Sequence, residues 1–344
     1  MEPTPLTPLP AQRMDVPWPT REWPMAQLPV DHAVHAIIDR GFQPDVLETL
    51  GEHQALVVIQ GGRLVFERYG EGFGPEITCR SWSMAKSITQ ALAGFMVMDG
   101  KLDIHAPAAV PEWSGAGDPR ATITVDQLLR MSSGLEWIEV YLPDQPSDVI
   151  RMLSGDGQAD MGAFAASFPL SQPPGTTFYY SSGTTNIVSR LLAQVIDARG
   201  EAFLAFMRER LFGPLGLESA EPRFDASGTF IGSSYCFCTP RDFARFGLLY
   251  LRGGVWEGRR LLPAAWVDYA RTLGGIDPVD GPYGAHWWLD LAGPGSFSAN
   301  GHEGQYIVLC PDRDLIIVRN GVTTGPPGPI RSWLREIAEA FPQL

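Results

Sequence analysis

Ala55-Leu56-Val57-Val58-Ile59, a turn at Gln60-Gly61-Gly62, and Arg63-Leu64-Val65-Phe66-Glu67-Arg68-Tyr69 read as two strands joined by glycines. A matching pair stands near the other end of the chain. There Tyr306-Ile307-Val308-Leu309-Cys310 is followed by Pro311-Asp312-Arg313-Asp314 and then Leu315-Ile316-Ile317-Val318-Arg319. The stretch from Thr122 to about Ala270 reads as helical instead, in segments Val125–Met131, Asn186–Arg199, Phe203–Leu211, Pro240–Leu251 and Pro263–Tyr269. A further helix is expected from Val34 to Leu50, and Pro329 opens another that carries Ile330, Trp333, Leu334, Ile337 and Phe341. Hairpins at both ends with helices between them predict an α/β fold (an α+β sandwich). An antiparallel sheet of about five strands is completed by both chain ends and flanked by helices, and a mostly helical domain is inserted. The boundaries are residues 29–105 with 280–344 for the sheet domain and 106–279 for the insertion. Residues 1–28, rich in proline around Trp18 and Trp23, read as an extended arm.

Composition narrows the function classes. The chain has 344 residues, enough for a sizeable core, and 44% hydrophobic against 19% charged residues is ordinary for a globular protein. Its formal charge of −13 repels phosphate backbones and anionic lipids, so no nucleic-acid partner is expected. No apolar run approaches the ~20 residues that span a bilayer, and the N-terminus lacks the basic and apolar regions of a secretory signal. No membrane partner is expected, and the setting reads as cytoplasmic. Four cysteines are too few for a disulfide framework. Cys236 and Cys238 stand one residue apart, and His32 and His35 lack an acidic or cysteine companion, so neither a metal nor a cofactor is expected. Assembly into a homodimer stays open.

The residues that carry chemistry begin at Ser83-Met84-Ala85-Lys86, an S-x-x-K motif running into the apolar helix around Ile88, Leu92 and Phe95. Residues three apart share a helix face, so the Lys86 amine reaches the Ser83 hydroxyl. The chain holds only two lysines, Lys86 and Lys101, against twenty-four arginines. Of the two cation types only lysine can release its proton at a working pH, and Lys86 stands where that ability matters. A helix-capping serine would explain Ser83 alone, but not the other motifs that follow it. Pro173-Pro174-Gly175 leads into Tyr179-Tyr180-Ser181-Ser182, and Gly301-His302-Glu303-Gly304-Gln305 opens the strand from Tyr306.

In this order the three motifs resemble the serine β-lactamase and penicillin-binding-protein superfamily, on the class C side. The resemblance spans Ser83 to Gln305. It implies Ser83 as the acylated nucleophile and Lys86 as its proton partner. It implies Tyr180 as a second proton carrier, with a phenol pKa lowered by the neighbouring ammonium. The backbone amides of Ser83 and Gln305 would form the oxyanion hole, with Gly304 leaving room for substrate. Two positions depart from the family: Ser182 replaces the usual Asn, and His302 replaces the Lys of Lys-Thr-Gly. The His-x-Gly-Gln version, with Ser133–Tyr141, resembles the esterase and 6-aminohexanoate-dimer hydrolase branches, where a loop tyrosine overhangs the pocket. Tyr141, Ser182, His302, Glu303 and Gly304 are therefore the candidate substrate-binding residues. The implied activity is a metal-free serine hydrolase, an esterase or amidase acting through an acyl-enzyme on a small-molecule ester or amide. A β-lactamase or D,D-peptidase is the rival enzyme reading, weakened by the missing Lys-Thr-Gly. A ligand-binding or sensor domain is the rival outside enzymes, and the intact Ser83, Lys86 and Tyr180 set argues against it.

Overall fold

The computed structural model describes residues 5–142 and 144–344. Its central element is an eight-stranded antiparallel sheet. In chain order the strands are β1 (Glu52–Gln60), β2 (Arg63–Tyr69), β3 (Gly275–Asp277), β4 (Gly281–Tyr283), β5 (Trp288–Leu289), β6 (Phe297–Gly301), β7 (Gln305–Cys310) and β8 (Leu315–Val322). Across the sheet they lie in the order β2-β1-β8-β7-β6-β5-β4-β3. Both expected hairpins form, and β1 pairs with β8, so the two chain ends meet at the centre with Val57 opposite Val318. The sheet exceeds the expected five strands because β3, β4 and β5 are only two or three residues long. Strands that short carry no readable alternation.

Side chains alternate across the sheet, and helices cover both faces. Val57, Ile59, Ile307, Leu309, Ile316 and Val318 enter the larger core, where Phe243 and Phe246 of helix Pro240–Leu251 meet them. Leu56, Val58, Tyr306, Val308, Leu315 and Ile317 face the other way, onto Val34, Ile38, Ile330, Trp333 and Leu334. Burial on both faces is why these strands read as nearly continuous apolar runs. The helix expected over Val34–Leu50 is broken: Val34–Gly41 is α-helical, a 3-10 turn covers Pro44–Val46, and a last turn covers Leu47–Leu50. Pro44 is the cause, since it lacks an N–H and pushes Gln43 into extended conformation.

Two further helices position the site: α1 (Ala85–Met98) and α2 (Ser182–Val195). α1 is buried all round from Ala85 to Met96. Gly94 lets Trp266 pack against it, and the Trp266 indole donates to the Gln90 carbonyl at 3.0 Å. α1 ends where Gly100 takes φ +66°, with the Gly100 N–H on the Val97 carbonyl and the Lys101 N–H on that of Met96. α2 starts four residues earlier than its apolar pattern suggests, because the Ser181 hydroxyl caps the Thr184 N–H. The segment before β1 lies along the body: the Trp23 indole donates to the Arg241 carbonyl, and Met25 bridges to Leu64. Among the described residues no helix is long and apolar enough to cross a membrane.

Gly247, in the helix Pro240–Leu251, sits where a Cβ would lie 2.8 Å from Ile307 Cγ2 and 3.1 Å from Leu309 Cδ2. An alanine in a helix interior normally stabilises by about 0.5–1 kcal/mol relative to glycine. Here the helix would have to lift off the sheet, so Gly247→Ala is expected to lose about 1–3 kcal/mol, read from the urea midpoint.

Candidate active site

Ser83 lies in a 3-10 turn, Trp82–Met84, that leads directly into α1. The turn packs on β6 and β7, and Gly301 makes the approach possible: a Cβ there would come within 2.4 Å of the Ser81 carbonyl. From the other side the Ser81 N–H donates to the Cys236 carbonyl (3.2 Å), and the Cys236 N–H donates to the Ser81 hydroxyl (2.9 Å). Trp82 is held at φ +44° and its indole donates to the Glu303 carboxylate at 2.9 Å, while Glu303 itself has φ +61°. Two non-glycine residues in left-handed conformation, bonded to each other beside a nucleophile candidate, are strain of the kind active sites retain.

The Lys86 amine is buried and meets three oxygens: Ser83 Oγ at 2.9 Å, Ser182 Oγ at 2.9 Å and the Ser233 carbonyl at 3.1 Å. Burial pushes its pKa down to about 8, against the charge of Glu139, which acts upward. The amine lies 4.7 Å from the Tyr180 ring centroid, so it touches the π face of that residue. A phenol lowered by the ammonium was expected at Tyr180. The direction is the reverse: burial pushes Tyr180 well above its ordinary range, Glu139 adds to the rise, and the Ser83 hydroxyl acts against both. Tyr179, the competing aromatic, is half exposed.

A cavity of about 810 Å³ opens over Ser83, a size that suits a small-molecule ligand. Tyr141, Tyr180, His302, Glu303 and Gly304 line it with Ser83. Tyr141 stacks on His302, with centroids 4.5 Å apart and planes at 19°, and Trp82 meets the His302 ring edge-on. Water still reaches His302, yet its partial burial between these rings lowers its pKa, against the pull of Glu303 and Glu139. Three of the expected residues stand outside the cavity wall. Lys86 lies behind Ser83. Gln305 is buried, with its side-chain amide donating to the Gly321 carbonyl at 2.6 Å and accepting from Asn320. Ser182 was expected to meet substrate, and here the expectation is corrected. Its side chain is fully buried, and its hydroxyl is committed to Lys86 and Glu139.

Two residues of this site have no motif to announce them. Glu139 accepts from the Ser182 hydroxyl (2.6 Å), the Ser182 N–H (2.8 Å), the Trp137 indole (2.6 Å) and the Tyr141 hydroxyl (3.2 Å). The only hint was its place in the Ser133–Tyr141 stretch already linked to the pocket. Arg319 is fully buried and, among the described residues, pairs with no carboxylate. It donates instead to the carbonyls of Glu303 (3.1 Å), Gly304 (2.7 Å), Leu50 (3.1 Å) and Glu52 (3.0 Å), and to His53 Nδ1 (3.2 Å). Burial lowers its pKa to about 10, and holds His53 neutral by pushing it to about 3. Gly304 has φ +80°, and a Cβ there would lie 2.5 Å from Arg319 Nη1, so guanidinium and turn fit only each other. Among the described residues no group of three His, Cys, Asp or Glu is placed to hold a metal ion.

The fold is that of a serine hydrolase, and the comparisons agree. The chain belongs to the Beta-lactamase family, whose profile matches residues 51–340. It is 26% identical over 312 residues to the 6-aminohexanoate-dimer hydrolase of Paenarthrobacter ureafaciens, covering 84% of this chain and 78% of that one. A Bacillus anthracis protein assigned as a 6-aminohexanoate-dimer hydrolase superposes with TM-score 0.77 at 22% identity, covering 99% of this chain and 92% of the other. A family VIII carboxylesterase gives TM-score 0.67 at 17% identity, covering 89% and 97%. At these identities the two structures speak for the fold.

Because Arg319 ties the Glu303–Gly304 turn to β1 and the segment before it, Arg319→Met is expected to take one donor from each of four carbonyls, of which Leu50 and Glu303 keep Thr323 as a second donor. A loss of roughly 2–4 kcal/mol in unfolding free energy is expected, measured by urea denaturation. Ester turnover per folded molecule should fall with it.

Proposed function

We propose that the protein hydrolyses small esters and linear amides through an acyl-enzyme on Ser83, with Lys86 as the general base and Tyr180 as a neutral proton donor. One observation carries the reading: the buried Lys86 amine, 2.9 Å from Ser83 Oγ, with a pKa near neutrality. Ser83 Oγ bonds to the substrate carbonyl carbon as its proton passes to Lys86 Nζ. The backbone N–H groups of Ser83 and Gln305 are assigned to the oxyanion. Collapse breaks the bond to the leaving oxygen or nitrogen, which takes a proton relayed from Lys86 and Tyr180. Water then bonds to the acyl carbon as one of its protons passes to Lys86 Nζ, the acyl carbon–Ser83 Oγ bond breaks, and Oγ takes that proton as the acid leaves.

The choice of Lys86 over Tyr180 as base rests on their opposite shifts, since a phenol raised by burial gives up its proton poorly. His302, Tyr141, Glu303 and Gly304 are assigned to substrate binding. An imidazole with a lowered pKa at 302, in place of an ammonium, disfavours β-lactams, whose carboxylate wants a fixed positive charge. The relative from Paenarthrobacter ureafaciens supports linear amides among the substrates, and the carboxylesterase neighbour supports esters. Four free, buried cysteines fit a reducing, cytoplasmic setting.

Intact-protein mass spectrometry after exposure to a fluorophosphonate should show one adduct on the wild type and none on Ser83→Ala. Equal labelling of both proteins, or unchanged ester turnover in Ser83→Ala, would sink the proposal. The pH profile gives a second check. Only neutral Lys86 can accept a proton, so kcat/KM for p-nitrophenyl butyrate should rise as pH climbs through about 8 and level off above it. A profile flat across that range would remove Lys86 as the base.

A further inference from the structure

A neutral amine has two hydrogens and one lone pair, and Lys86 has three partners. Which partner meets the lone pair decides whether the amine can act on Ser83. The Ser233 carbonyl can only accept, so it takes a hydrogen. Ser182 is ambiguous, because a hydroxyl can accept from the amine or donate to it. If Ser182 donated, it would occupy the lone pair and leave an N–H pointing at Ser83.

Glu139 removes that ambiguity. Its Oε1 lies 2.6 Å from Ser182 Oγ and its Oε2 2.8 Å from Ser182 N. A carboxylate only accepts, so the Ser182 hydrogen lies on Glu139 and the Ser182 oxygen faces Lys86 as an acceptor. Trp137 and Tyr141 hold the carboxylate by donating to one oxygen each. Both amine hydrogens are then spoken for, and the lone pair is left facing Ser83. After proton transfer the ammonium has three hydrogens for the same three oxygens, with no rearrangement needed.

We propose that Glu139 is a positioning residue that aims the Lys86 lone pair at Ser83, acting through the Ser182 hydroxyl. The inference rests on Lys86 being the base for Ser83. Glu139→Gln tests it with a defined geometry. Two donors, Ser182 N–H and the Trp137 indole, converge on Oε2, so the glutamine oxygen must go there. Its NH₂ then faces Ser182 Oγ, and the Ser182 hydrogen turns to the Lys86 lone pair.

With p-nitrophenyl butyrate, Glu139→Gln is expected to lower kcat by roughly tenfold to a hundredfold with KM changed less than about twofold. Ser182→Ala breaks the same chain at its next link, so on the high-pH plateau Glu139→Gln should cost no further kcat in a Ser182→Ala background. Losses that add in full in the double variant overturn the inference, as does a loss confined to KM. Should Glu139→Gln lack a cooperative thermal transition, Glu139→Leu with and without Ser182→Ala makes the same comparison. Turnover surviving in Ser83→Ala would instead fail the hydrolase reading itself, so the two failures are separable.

Discussion

Burying one amine among three oxygens is the constraint around which this molecule is arranged. Removing an ammonium from water costs several kcal/mol even after relaxation, and the group responds by giving up its charge more readily. At Lys86 that response is the useful property, and it explains why lysine stands here in a chain that uses arginine almost everywhere else. The cost is offset by partners brought from four places: Ser83 on the same turn, Ser182 at the start of α2, Ser233 in a loop, and Glu139 behind Ser182.

Holding those places in register is what the rest of the fold does. α1 is buried on all sides and closed by a glycine, so Ser83 and Lys86 cannot drift as a loop would. The sheet supplies the opposite wall through β6 and β7, where a glycine at 301 lets the Ser83 turn approach and a glycine at 304 fits the Arg319 guanidinium. Arg319 shows how expensive this wall is. A fully buried cation with no carboxylate partner among the described residues is tolerated because it feeds carbonyls from β1, the segment before it and the 303–304 turn at once. One side chain thus ties the turn that lines the cavity to the first strand of the sheet.

Much of this was legible from the sequence for identifiable reasons. Ser83 and Lys86 are three residues apart where a 3-10 turn runs directly into α1, so their contact follows from local helical geometry. The two hairpins were legible because each strand is long enough to show its pattern. The residues β3, β4 and β5 were not, being too short to carry one. Glu139 was hidden for a different reason. Its contact with Ser182 joins segments 43 residues apart, and a carboxylate at one turn of an irregular loop resembles any solvated acid until the fold places it. Ser182 was read as a shortened substrate-binding residue because its family counterpart is a longer polar group. Only the burial of its hydroxyl between Lys86 and Glu139 shows that it faces inward.

The same carboxylate bears on both Lys86 and Tyr180, and its influence is not symmetric in effect. At Lys86 the charge of Glu139 opposes burial, which keeps the amine basic enough to take a proton from a hydroxyl. At Tyr180 it adds to burial, which keeps the phenol protonated. An acid and a base side by side are useful only when their preferences differ, and environments that push two groups apart assign those roles. Burial alone would separate Lys86 and Tyr180, but it would also drive the amine toward a weak base. A negative charge placed behind Ser182 corrects the amine while reinforcing the phenol. With no charge behind Ser182, the same burial would make Lys86 a weaker base and leave the Ser182 hydroxyl uncommitted.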